Sequence, residues 1–256
     1  MASADHFVDH FADHFADAAA EYATYRPVYP AALYAWLAGV TPGRGHAWDC
    51  ATGSGQAAVA LAAHFARVTA TDASAAQLAQ ARPHPRVAYA QAPAEASGLA
   101  AGSADLVTVA QALHWFDLDA FYRETRRVLV PGGVLAVWTY DDVAPGDAAV
   151  AAAWRAVTAA ETDPYWPPER ALVGARYHAL PFPFAELPVP AFTLEADWPL
   201  DALLGYAGTW SATAAYRRAT GRDPIPAFRE ALAPAWGDPA RRVRVAWPLT
   251  VRAGRA

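Results

Sequence analysis

Between His46 and Tyr140, short apolar runs alternate with stretches of helical spacing, and this rhythm restricts the fold more tightly than any other feature of the chain. The runs His46–Cys50, Arg67–Thr71, Arg86–Gln91, Asp105–Ala110 and Val134–Tyr140 read as strands. Between them lie an alanine-rich helix running from the Gly53–Gly55 turn to about His64, a helix over Ala75–Arg82, and one over Leu118–Leu129 with Phe121, Val128 and Leu129 inward. Strands alternating with helices make βαβ units. The expected architecture is therefore α/β: a doubly wound, Rossmann-like, mostly parallel seven-stranded sheet.

Beyond Tyr140 the rhythm changes. Ala144–Glu161 has helical spacing, and Thr162–Pro190 is rich in proline and aromatic residues, so Ala144–Pro190 is expected to form a helical lid or insert. A strand over Phe192–Trp198 and helices over Leu200–Thr220 and Pro226–Trp236 follow. The last strand shows Val243, Val245, Trp247, Leu249 and Val251 on one face and Arg242, Arg244 and Thr250 on the other, the half-exposed alternation of an antiparallel C-terminal strand. Pro248 lacks an amide hydrogen for the ladder, which predicts a bulge or a free edge there.

Composition excludes several functions. The formal net charge is −5 and the basic residues, all arginine, cluster only at Arg241, Arg242 and Arg244. Nucleic-acid binding, which normally shows a basic face, is disfavoured. No apolar run approaches membrane-spanning length. Asp5, Asp9 and Asp13 stand where an export signal would be basic and then apolar. A lone cysteine, Cys50, suits a reducing, cytoplasmic setting. Over Asp5–Tyr22 the Asp-His-Phe triplet occurs three times, placing His6, His10 and His14 on one helical stripe and Phe7, Phe11 and Phe15 on another. Without a further ligand cluster nearby, the stripe reads as the wet face of an amphipathic helix and no metal site is expected.

The chemistry concentrates at strand ends. Asp49-Cys50-Ala51-Thr52-Gly53-Ser54-Gly55-Gln56 joins the first strand to the first helix, where doubly wound sheets receive nucleotides. Gly53-x-Gly55-x-x-Ala58 alone also satisfies a dinucleotide fingerprint. Asp49, however, brings a negative charge where a pyrophosphate would want amides. A sulfonium or ammonium ligand such as S-adenosylmethionine welcomes it. Asp72, at the end of the second strand, is placed to accept hydrogen bonds from a ribose diol, with Ser74 available to cap the following helix instead.

These segments, with Tyr22–Pro30, Asp72-Ala-Ser74, Ala94-Glu95, Ala110–Asp117 and Arg127–Gly133, occur in the order of class I methyltransferases. The set resembles the methyltransferase type 11 group. Its His114-Trp115-Phe116-Asp117 and Gly208–Ala212 runs are similar to the trans-aconitate methyltransferase-like branch. The resemblance covers about Phe15 to Val251. It implies a single domain over 1–256: an N-terminal helical cap (1–40), a cofactor-binding core (41–140), and a lid, acceptor-side insert and final strands (141–256).

By the same resemblance, Gly53 and Gly55 would line the methionine and ribose of S-adenosyl-L-methionine, and Asp49 would organise its amino-acid end. Asp72 would hold the ribose, Ala73 would pack on adenine, and Ala94 and Glu95 would meet the adenine edge. Gln111 and Ala112 would face the methionine portion, and Arg26 the cofactor carboxylate. Ala51 replaces the glycine usual in this loop and should be tolerable only with φ below zero.

The expected reaction is metal-free, in-line methyl transfer to a small-molecule acceptor, with O-methylation of a carboxylate favoured by the resemblance. A carboxylate needs no general base; for a hydroxyl, amine or carbon acid His114 is the best-placed candidate. Trp115, Tyr140 and Trp210 are candidate walls of the acceptor pocket, with Trp166 a weaker one. A monomer or homodimer is expected. Two alternatives stand beside this reading: a nicotinamide-dependent oxidoreductase, and a module that binds S-adenosylmethionine without turnover.

Overall fold

The computed structural model describes Tyr25 and residues 27–256, so the Asp-His-Phe repeats and Arg26 lie outside the described residues. Nine strands form one sheet: β1 (His46–Cys50), β2 (Arg67–Asp72), β3 (Val87–Gln91), β4 (Ala104–Ala110), β5 (Leu129–Tyr140), β6 (Ala144–Pro145), β7 (Ala185–Glu186), β8 (Phe192–Trp198) and β9 (Val243–Arg255). The order is β3-β2-β1-β4-β5-β9-β6, with β7 and β8 also on β9. β6 and β7 are two-residue pieces, so the expected seven strands correspond to the longer ones. β1 to β5 pair in parallel, and β9 runs antiparallel to both β5 and β8.

The sequence explains both faces of the sheet. Alternate residues point to opposite sides of a strand. Ala47, Leu106, Val134, Ala136 and Trp138 pack on one side against α1 (Ala31–Val40) and α2 (Gln56–Leu61). Trp48, Cys50, Val107, Val109, Leu135 and Val137 pack on the other against α4 (Leu118–Val128) and the Val173–Phe184 segment. A strand buried on both sides carries few polar positions, which is why β4 and β5 read as largely apolar runs; buried Thr108 and Thr139 donate their hydroxyls to Asp49 and Gln111. Helix α4 starts where the Asp117 side chain accepts a hydrogen bond from the Ala120 amide (3.1 Å), leaving Phe121, Tyr122 and Val128 on its buried face. The short α3 (Ala75–Leu78) is capped by Ser74 and stops well before the predicted Arg82.

A third apolar cluster lies under the C-terminal half. Helices α5 (Ala148–Glu161), α7 (Leu200–Gly208) and α9 (Ile225–Trp236) bury Trp154, Leu203 and Phe228 beside Val243, Val245 and Trp247 of β9. Between them in the chain come α6 (Arg170–Gly174) and α8 (Ser211–Thr220).

Several expectations are corrected here. The helix predicted from Ala144 begins only at Ala148, because Ala144 and Pro145 pair with β9 first. The single helix predicted over Leu200–Thr220 is two, broken at Thr209 and Trp210, where Trp210 turns inward to a core position. Nor is Pro248 at a free edge: β9 lies inside the sheet, and Pro248 faces Thr193 of β8. On the other side it falls between the residues paired to β5, which begin at Leu249, and those paired to β6, which end at Ala246. Its missing donor therefore meets a gap in the ladder. Among the described residues, no helix is long and apolar enough to cross a membrane.

Candidate active site

The register aligns the C-terminal ends of the parallel strands along one rim. Cys50 of β1 lies opposite Thr71 and Val109, Asp72 lies opposite Gln91, and Ala110 lies opposite Trp138. Asp49, Ala51, Gly53, Gly55, Asp72, Ala73, Ala94, Glu95, Gln111 and Ala112 therefore gather around the crevice where the strand order reverses, between β1 and β4.

Within this crevice the glycine-loop amides are already bonded. The Gly53 amide donates to Asp72 Oδ2 (2.8 Å), the Gly55 amide to the Thr52 carbonyl (3.0 Å), and the Thr52 amide to the Thr71 carbonyl (2.9 Å). A pyrophosphate needs such amides as donors, and here protein oxygens hold them. Gly55 sits at φ +81, and a Cβ there would lie 2.2 Å from Tyr89 Oη, so no larger residue fits between the loop and β3. Asp72 accepts from the Gly53 amide on one oxygen and from the Ser74 amide (2.9 Å) on the other, each oxygen keeping a lone pair for a further donor. Ala73 is held by Gln91, whose side-chain amide donates to its carbonyl (2.9 Å). Ala94 is buried, and Glu95 accepts from the Asp117 amide (3.1 Å) at the start of α4.

Asp49 is 1% exposed. The Thr52 hydroxyl donates to its Oδ2 (2.6 Å) and the Thr108 hydroxyl to its Oδ1 (2.7 Å). Hydroxyls and the Ala58 amide, not guanidinium groups, are its partners among the described residues. Burial pushes its carboxyl up to about 6, against the pull of those hydrogen bonds.

Two strand ends carry left-handed backbone. Ala51 has φ +53 and Gln111 has φ +56. The first overturns the expectation that Ala51 keeps φ below zero: the turn leaving β1 demands the left-handed region, and alanine takes it at a cost of about 1 kcal/mol. Gln111 is pinned by its side chain, whose amide donates to the Tyr140 carbonyl (2.9 Å) and whose Oε1 accepts from the Thr139 hydroxyl. What it offers the crevice is backbone.

A second pocket opens beside Gln111. His114, Tyr140, Asp141, Asp142, Trp166, Arg170 and Trp210 line it. Tyr140, Trp210 and Trp166 all line this one pocket. Trp115 does not line the pocket; its ring stacks beside His114 (centroids 4.8 Å apart) and packs on the α4 side of the core. Arg170 pairs with Asp141 and lies over the Trp166 ring, 4.9 Å from its centroid. His114, in a single 3₁₀ turn over Leu113–Trp115, has its Nδ1 2.7 Å from Tyr177 Oη, and burial with the Arg170 charge holds its imidazole down at about 4. Arg170 and Asp141 carried no signal in the sequence, because they reach the pocket from the irregular segment and just past the end of β5, whose position only packing decides; nor did Tyr177, which meets His114 behind it.

A crevice at the switch point, an adjacent aromatic pocket and a buried carboxylate between glycine turn and sheet make up the layout expected of a class I transferase that takes an adenosyl cation. Residues 48–137 match the family described as a methyltransferase domain. A Dictyostelium discoideum protein provisionally described as a methyltransferase is 33% identical over 218 residues, covering 84% of this chain and 83% of its own length. A solved structure from Anaeromyxobacter dehalogenans, provisionally described as a type II methyltransferase, is 51% identical, with a TM-score of 0.85 over 90% of this chain and 98% of that one. A Saccharomyces cerevisiae protein described as an S-adenosylmethionine-dependent methyltransferase is 29% identical over 128 residues, 46% of this chain and 44% of its own. The chain belongs to the class I S-adenosylmethionine-dependent methyltransferases, and its cofactor is S-adenosyl-L-methionine.

Proposed function

We propose that this enzyme methylates a small molecule, and that an oxygen of a carboxylate is the atom methylated. The observation that carries this reading is the pocket beside Gln111: it is bounded by Tyr140, Trp166 and Trp210, and Arg170, its lining cation among the described residues, is held by the partly exposed Asp141, with Asp142 also in the lining. An acid entering the pocket competes with Asp141 for the guanidinium fork, which matches a carboxylate in two hydrogen bonds. The similarity of the His114–Asp117 and Gly208–Ala212 segments to the trans-aconitate methyltransferase-like branch supports the same choice of acceptor.

Bound S-adenosylmethionine supplies a methyl group on a sulfonium, ready for in-line displacement. The chain's own residues do the rest. Asp49 is the proposed organiser of the amino-acid end, Asp72 holds the ribose, Ala73, Ala94 and Glu95 border the adenine, and the Gln111 and Ala112 backbone lies toward the methionine. The aromatic walls exclude water and restrict the approach of the acceptor, a contribution of orientation. The nicotinamide alternative is disfavoured by the bonded state of the Thr52, Gly53 and Gly55 amides, which leaves a pyrophosphate without its cradle.

Calorimetric titration with S-adenosylhomocysteine and with NAD tests the donor side, and only the former is expected to bind. Turnover of methyl-labelled donor with a panel of carboxylic acids, phenols and amines tests the acceptor side. Labelled, base-labile esters are the expected product. Label confined to amines would overturn the acceptor class, and tight binding without turnover on any acceptor would favour the non-catalytic module.

A further inference from the structure

The pocket beside Gln111 carries more negative charge than its own cations balance. Among the described residues its lining holds two carboxylates, Asp141 and Asp142, and one guanidinium, Arg170. Arg170 is engaged by Asp141. His114 adds no charge near neutral pH, because burial and the Arg170 charge hold its imidazole down at about 4. Asp142 is left without an ion pair among the described residues. Its Oδ1 accepts from the Val143 amide (2.7 Å), while the Trp154 indole N–H stands beside it outside hydrogen-bond geometry. Asp142 is open to solvent on one side, yet crowded closely enough that desolvation pushes its carboxyl up to about 6, with the Asp141 charge adding to the shift.

The walls around this unpaired carboxylate suit a cation. Tyr140, Tyr206 and Trp210 line the same pocket, and the Arg170 guanidinium already lies over the Trp166 ring. Aromatic rings beside a carboxylate are the surroundings in which organic ammonium groups are held, the ring quadrupoles and the full charge attracting together. The ligands sharpen the imbalance. An acid acceptor adds a third carboxylate, and the sulfonium of bound S-adenosylmethionine adds a second cation. Three negative charges then face two positive ones. Every further carboxylate on the acceptor widens that gap, whereas an ammonium on the acceptor closes it.

We propose that Asp142 is a specificity-determining residue that binds an ammonium group on the acceptor, so that the enzyme methylates the carboxylate of an amino acid and discriminates against simple and polycarboxylic acids. The inference rests on the carboxylate-methylating reading and deepens it. As the carbon–oxygen bond forms, the carbon–sulfur bond breaks and its electron pair passes to sulfur, leaving a neutral thioether and a methyl ester. The ammonium keeps its proton throughout, because a carboxylate near 6 is too weak a base to deprotonate an alkylammonium, whose ordinary value is about 10. Lacking a lone pair, the nitrogen does not attack the methyl group. Pairing with Asp142 thereby directs methylation to oxygen.

The test is calorimetric titration of the full chain, saturated with S-adenosylhomocysteine, against three acids of matched length: 4-aminobutyrate, pentanoate and glutarate. These end in an ammonium, a methyl group and a second carboxylate. At about pH 8 the wild type is expected to bind 4-aminobutyrate at least about tenfold more tightly than pentanoate, and glutarate most weakly. D142N, whose amide keeps the shape and loses the charge, is expected to bring 4-aminobutyrate and pentanoate within about threefold of each other, with an unchanged melting temperature. A second measurement needs no variant. The wild-type preference is expected to shrink by at most tenfold per unit as the pH falls below about 6, because a protonated Asp142 no longer draws a cation, while His114 stays neutral down to about 5. A wild type that binds 4-aminobutyrate no more tightly than pentanoate, or not at all, overturns the proposal, and so does a preference that survives in D142N. Failure of the carboxylate-methylating reading would appear separately, in turnover, as methyl label on phenols or simple amines with no base-labile ester from any acid.

Discussion

Asp49, the proposed organiser of the cofactor's amino-acid end, would link stability to binding. Its carboxyl is pushed from the ordinary carboxylate range up to about 6 by burial, so ionisation above that pH costs folding free energy. With the folded-state value raised, its contribution to stability is fully present below about pH 4 and is lost as pH rises through 6. A cationic ligand favours the ionised form, so affinity for S-adenosylmethionine is expected to weaken as pH falls below about 6, by at most tenfold per unit. D49N is expected to weaken binding by about 10- to 100-fold and to flatten that pH dependence, while leaving the ligand-free protein at least as stable. Calorimetry from pH 5 to 8 and urea unfolding would check both parts. Charge that burdens the fold and serves the site is a familiar trade.

Among the elements, the segment from Asp163 to Glu186 depends on its neighbours more than on its own sequence. It holds a 3₁₀ turn, the five-residue α6 and the two-residue β7, each too short to stand alone. Arg252 binds it to β9: besides the Tyr177 and Leu180 carbonyls, its guanidinium reaches Glu186 (2.7 Å) and lies 4.6 Å from the Phe182 ring centroid. Charge-assisted bonds to buried carbonyls are the stronger kind. R252A is expected to cost about 2 kcal/mol and to raise amide exchange selectively over residues 170–186. Uniform exchange across the chain would show that Arg252 supports the sheet and not this segment.

For the molecule as a whole, the parallel core and the C-terminal helices meet at the two pockets. One apolar cluster on each face of the sheet holds the core, and a third holds α5, α7 and α9 over β9. The region 144–190 borders the acceptor pocket through Trp166 and Arg170, so occupancy of the crevice should bear on its mobility. Saturating S-adenosylhomocysteine, at a hundred times its dissociation constant, is expected to stabilise the protein by about 2.7 kcal/mol. It is also expected to slow protease cleavage within 144–190 more than elsewhere. Unchanged cleavage there would remove the lid from this account.

The strand–helix rhythm from His46 to Tyr140 was legible because central parallel strands buried on both faces are mostly apolar; β1 to β4 fall within one residue of their predicted bounds, while β5 starts at Leu129, five residues before the predicted Val134. The Asp49–Gln56 turn and Asp72 were legible for a related reason: ligands enter at strand ends, and strand ends follow from periodicity. Local pattern was silent wherever the partner is distant in the chain. Pro248 sits inside the sheet because β6 ends and β5 begins on either side of it. Ala51 takes a left-handed φ because the turn between β1 and α2 leaves it no other path. Tyr177 meets His114 across 63 residues of sequence, and Arg170 meets Asp141, only once the irregular segment is folded against the core. Periodicity reports burial along one element, so it determined the scaffold and the strand ends where the cofactor is proposed to sit; the proposed acceptor pocket is made of contacts between elements, and those exist only in the packed chain.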